Sequence, residues 1–172
     1  MAMRSNHNRV VLAFWTGLMP SPSITSFSRR LDAKTDYQNF ATTIATLLGG
    51  RQSVRITSGN YMALCIESIG HSAEGNPLIS LAHYGVQNGD LMADPEMTFE
   101  VYATPSPAAE PLTYRNDYLG MMQEVYEYSP SGKKTHVRPQ LKKDLRHFAA
   151  LWFRNLTAQG FLSESAVREI RS

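Results

Sequence analysis

The segment at residues 83–102, HYGVQNGDLMADPEMTFEVY, constrains this chain more than any other feature. Asparagine and aspartate bond their own backbone and glycine takes positive φ, so Asn88, Gly89 and Asp90 are preferred turn chemistry, as are Asp94 and Pro95. Upstream, residues 78–84 form a strand-like run. Downstream, Met97, Phe99 and Val101 alternate with Thr98, Glu100 and Tyr102. Strands this close together leave no room for a helical crossover, so they pair antiparallel.

The rest of the pattern builds around that sheet. A helix is expected from about Asp36 to Leu48, with Thr35 as N-cap and Gln38 closing a capping box. Tyr37, Phe40, Ala41, Ile44, Leu47 and Leu48 fall on one face, and Gly49 and Gly50 end it. Strands are expected at 54–57, 61–69, 78–84 and 97–102. Residues 103–113, with Pro105, Pro107 and Pro111, read as a loop. A strand-like pattern resumes at 119–128 and turns through 129–132 into 134–137. A second helix is expected at about 139–159, with Leu141, Leu145, Phe148, Ala149, Trp152 and Leu156 on its apolar face. The expected fold is α+β: an antiparallel sheet of about four to six strands packed by an N-terminal and a C-terminal amphipathic helix. Residues 1–34 form an arm, 35–162 a single domain, and 163–172 a tail that adds a helical turn or frays.

A length of 172 residues suits one domain, and 42% hydrophobic with 19% charged residues describes a globular protein. A net charge of +2 gives no global field toward nucleic acid or anionic membrane. The single cysteine, Cys65, excludes an internal disulfide and a multi-cysteine zinc site, and its apolar surroundings suit a buried inert thiol. Arg4 and Arg9 precede an apolar run at 10–19, far short of the ~20 residues that span a bilayer. No small-residue cleavage site follows it, so a cytoplasmic location is expected rather than secretion.

Three sets of side chains bear on function. His83, Asp90, Asp94 and Glu96 offer oxygen and imidazole ligands of the kind a metal-assisted hydrolase or nuclease uses. The competing reading makes them turn residues and a hydrogen-bonded core histidine. No H-x-x-x-H, C-x-x-C, P-loop or G-x-S-x-G pattern supports catalysis, and Glu100-Val101-Tyr102 lacks the lysine of an E-x-K nuclease strand. Metal, cofactor and catalytic residues are therefore not assigned. His83, Tyr84, Gln87, Asn88, Asp90, Asp94 and Glu96 are assigned instead to a candidate binding surface on loops held by a sheet. The third set is basic: Lys133, Lys134, Arg138, Lys142, Lys143, Arg146 and Arg154. Such an arc suits phosphate contacts, but also the solvated face of an amphipathic helix.

The run LISLAHYGVQNGDLMADPEMTFEV at 78–101 resembles the signature of an uncharacterised family of small bacterial proteins from plasmids, integrative elements and phages. The resemblance extends to Tyr61-Met62-Ala63-Leu64-Cys65-Ile66-Glu67, to Asn116-Asp117-Tyr118-Leu119-Gly120, and to Phe148-Ala149 with Trp152 and Arg154-Asn155-Leu156. It covers residues 40–162 and carries no catalytic residue with it. It implies an accessory protein of a mobile element that binds a host or element-encoded protein, in counter-defence such as anti-restriction or anti-CRISPR activity. The alternatives are nucleic-acid binding through the basic helix face and metal-assisted hydrolysis.

Overall fold

In a computed structural model, the described residues are 33–103 and 105–170. The expected N-terminal arm therefore lies almost wholly outside them. Two helices, α1 (Ala33–Leu48) and α2 (Pro139–Ala158), pack on one face of a seven-stranded antiparallel sheet. Its strands are β1 (Ser53–Thr57), β2 (Leu64–His71), β3 (Pro77–Gln87), β4 (Asp90–Tyr102), β5 (Ala108–Asn116), β6 (Met121–Glu124) and β9 (Val167–Ile170). They lie in the order β6-β5-β4-β3-β2-β1-β9. A separate two-stranded ribbon joins β7 (Tyr126–Tyr128) to β8 (Lys134–Val137).

The α+β class and the antiparallel pairing agree with the sequence reading, but the strand count and several boundaries do not. Residues 108–116 form a central strand rather than a loop. Pro111 opposes Phe99 where the β4–β5 register shifts, a position at which a missing N–H costs no regular ladder bond. The tail is strand β9, hydrogen-bonded antiparallel to β1, so the second helix is not the last element. The pattern at 119–128 breaks at fully buried Val125, whose N–H bonds Leu112 and whose carbonyl accepts from Arg138. There the chain leaves the large sheet and starts the ribbon. Helix α1 begins at Ala33, so Thr35 lies inside it and caps nothing; Asp36 is buried and faces Arg146 at 3.6 Å.

The core lies between the helices and the sheet face formed by Val54, Ile56, Leu64, Ile66, Ile79, Leu81, Met97 and Phe99. Phe40 of α1 stacks on Phe153 of α2 with ring centroids 5.1 Å apart, and Phe99 meets both edge-on. Tyr114 of β5 meets Phe148 of α2 at 5.0 Å. Alternation sends Arg55, Cys65, Ala82, Glu96 and Arg115, a row in register across five strands, to the opposite face. No helix packs on that second, open face among the described residues, as antiparallel sheets allow.

Candidate functional site

Strands β3 and β4 are the longest in the sheet, and their lengths produce its most exposed feature. Pairing between β2 and β3 stops at Leu64 opposite His83, and pairing between β4 and β5 starts at Glu96 opposite Arg115. Residues 84–87 and 90–93 bond only to each other within the sheet, so the hairpin projects as a two-stranded finger. Its tip is the Asn88-Gly89 turn read from the sequence, with φ of 52° and 89°, the pair of positive values that a two-residue hairpin turn requires. Beyond the Ala93 brace described below, three residues per strand extend it by roughly 10 Å.

Val86 and Leu91 face each other across the finger and are each 67% exposed. The directly opposed apolar pair supports the ribbon by its cross-strand contact, yet most of its surface stays in water. The finger's base is braced. Ala93 donates to the Asp117 carboxylate at 2.8 Å and accepts from the Asp117 N–H at 2.9 Å, while Arg115 holds that carboxylate from the side. Tyr118 packs its hydroxyl against Gly85, where any Cβ would overlap it. Tyr118 and Leu119 on one shoulder, and Tyr61 and Met62 beside β2 on the other, add further exposed apolar surface.

The residues assigned from sequence to a binding surface divide in three. Gln87, Asn88 and Asp90 are exposed at the finger tip, and Tyr84 stands half-buried at its root, its hydroxyl pushed up to about 12 by burial and by Glu96 and Glu67. His83 is buried: Nδ1 lies 3.1 Å from the Ala63 carbonyl, and the ring packs against Trp152 and Phe161. Burial pushes its imidazole below the usual range, so it is neutral. Asp94 and Pro95 form no turn. Strand β4 runs through them in a β-bulge opposite His83, and Asp94 accepts from Asn116 at 2.7 Å. Glu96, past the bulge, accepts from Ser80 at 3.1 Å on the open face. Among the described residues, no three His, Cys, Asp or Glu side chains group closely enough to hold a metal ion.

The basic set is dispersed as well. Lys134 and Lys142 turn inward, Arg138 pairs with Glu127 at 3.3 Å, and Arg146 is largely buried against Asp36. Lys133, Lys143 and Arg154 remain exposed, on the ribbon turn and on α2.

The inward lysines lead to a cluster absent from the sequence reading. Glu100 and Glu110 are opposed across β4 and β5, and both are buried. Glu100 takes Lys134, Asn76 at 2.9 Å and the Tyr102 hydroxyl at 2.8 Å. Glu110 takes Lys142 at 2.6 Å and the Tyr126 hydroxyl at 2.5 Å. Burial pushes the Glu100 carboxyl up, but hydrogen bonds from Lys134, Asn76, Ser72 and Tyr102 outweigh it and hold the group at about 2. Burial and Glu110 push the Tyr126 hydroxyl up to about 12. Both carboxylates have their cation and further donors, so the cluster fastens the ribbon and the start of α2 to the sheet. Nothing local in the sequence marks this cluster, because Glu110 lies in the proline-containing stretch 103–113 that reads as a loop. A groove of about 190 Å³ between α1 and α2, lined by Phe40, Phe153, Asn39, Thr43 and Arg154, falls below the roughly 300 Å³ at which small-molecule sites begin.

A family model described as a domain of unknown function, DUF6908, matches residues 37–162, and the chain belongs to that family. Neither a curated protein nor a solved structure matches it.

Proposed function

We propose that this chain is a binding protein that engages a protein partner through the β3–β4 finger. In this reading it is a cytoplasmic accessory factor of a bacterial mobile element, acting in counter-defence on a host or element-encoded protein. The mobile-element setting rests on the resemblance of residues 78–101 described above. The carrying observation is the opposed pair Val86 and Leu91, each 67% exposed on a braced ribbon beside which, among the described residues, no further strand pairs. Apolar side chains presented in this way lose water only when a partner covers them, and burying both is worth about 3 kcal/mol. Tyrosine and methionine shoulders are residue types enriched at protein interfaces. Compatible with a location in solution, no helix among the described residues is long and apolar enough to cross a membrane.

The test is co-purification from a producing bacterial host with quantitative mass spectrometry, comparing the native chain with Val86→Ser/Leu91→Ser. A partner recovered with the native chain and depleted at least about tenfold with the variant is expected, since two lost anchors exceed 1.4 kcal/mol. Equal recovery with both chains refutes the finger as the contact.

A further inference from the structure

The finger and the open sheet face share a charge pattern that narrows the partner's chemistry. Between Arg55 and Arg115 the sequence holds seven carboxylates and no lysine or arginine. This stretch forms β2, β3, β4, most of β5 and the whole finger. Two of its carboxylates, Glu100 and Glu110, are neutralised by Lys134 and Lys142. Among the described residues of the large sheet and its finger, this side then presents Glu67, Asp90, Glu96, Asp117, Glu124 and Glu169 against Arg55 and Arg115. Both arginines are already engaged, Arg55 with Glu169 at 3.3 Å and Arg115 with Asp117 at 2.7 Å and Glu96 at 3.7 Å. A chain of net charge +2 thus carries a negative surface on the side from which its exposed apolar finger projects.

We infer that the finger docks into a protein whose apolar cleft is rimmed by lysine and arginine. This rests on the reading of the finger as the contact and adds the occupant's chemistry. Opposite charge at the rim steers encounter and penalises wrong partners, while the Val86–Leu91 pair supplies the buried centre. The same field disfavours nucleic acid and anionic membrane on this face. It also disfavours a second copy docked face to face, because that places the six carboxylates of each copy against those of the other.

The test uses the full chain and two synthetic strand peptides, one alternating leucine with lysine and one alternating leucine with glutamate. Binding is followed by backbone amide shifts. The leucine–lysine peptide is expected to shift residues 84–93 and the open face, and to weaken severalfold as ionic strength rises to about 0.5 M. Asp90→Lys/Glu67→Lys, both at exposed positions, is expected to weaken that peptide about tenfold and to admit the leucine–glutamate one. Equal binding of both peptides by the native chain, or of neither, overturns the inference. Sedimentation showing a dimer that Leu91→Ser dissolves also overturns it, naming a second copy as occupant and leaving the finger as the contact. Shifts confined to α2 overturn the inference and the finger together.

Discussion

Replacing Lys134 with methionine tests how the ribbon is fastened to the sheet. Methionine keeps most of the lysine stem and removes the cation. Glu100, 1% exposed, is then left with Asn76 at 2.9 Å, Tyr102 at 2.8 Å and Ser72 as its neutral donors. Breaking a buried pair from one side costs about 3–5 kcal/mol, because the remaining charge stays desolvated. The Lys134 side chain is 22% exposed, so water reaches the vacated site and the lower figure, about 3 kcal/mol, applies. For a chain of this length that corresponds to a melting temperature lower by about 9 °C, read by calorimetry or circular dichroism. The pH dependence has a fixed sign. Glu100 is held at about 2 against an ordinary 4.5, so its stabilisation is complete above 4.5 and is lost as pH falls from there toward 2. Lys134→Met/Glu100→Gln removes the buried charge and recovers most of the loss, along with the acid-dependent slope. A Lys134→Met loss below about 1 kcal/mol, or a double variant no more stable than the single one, refutes the reasoning.

Three further outcomes follow from the geometry. Gly85→Ala drives a methyl into the hydroxyl tip of Tyr118, a 46% exposed side chain that can swing aside, and is expected to cost no more than about 1 kcal/mol and to raise amide exchange at 84–93, both reversed by adding Tyr118→Ala. His83 is buried neutral, so the native chain loses stability as pH falls below the unfolded value of 6.5; His83→Gln is expected to flatten the melting-temperature slope between about pH 7 and about pH 5. Val86→Ser and Leu91→Ser, at 67% exposed positions, are expected to change stability by less than about 0.5 kcal/mol by urea titration, so that any loss of binding reflects the contact.

How much of this was legible in the sequence depended on whether a signal was local. Asn88 and Gly89 dictate their turn through their own backbone preferences, and Gly49 and Gly50 end α1 with φ of 57° and 77° in the same way. The α2 stripe was readable from its 3.6-residue period, although Phe153 joins the core from beside it. Strand β5 was hidden because Pro111 argues against a central strand, and only the register shift opposite Phe99 accommodates it. Strand β9 was hidden because four residues ending near the chain terminus carry no pattern of their own and owe their form to β1. At the site, Asp94 and Pro95 read as a turn when they form a bulge, and no local signal shows that the apolar residues Val86 and Leu91 stay exposed. The Glu100–Lys134 and Glu110–Lys142 pairs join residues more than thirty apart in sequence, and no local rule links them.

The most direct measurement of the finger's role is photocrosslinking in a producing bacterial host, with a photoreactive residue in place of Leu91 in one chain and of Leu151 on α2 in another. A discrete crosslinked species from the Leu91 position, absent from the Leu151 position and lost on adding Val86→Ser, is the predicted result. A discrete species from the Leu151 position alone, or one from Leu91 that Val86→Ser leaves unchanged, would contradict binding through the finger.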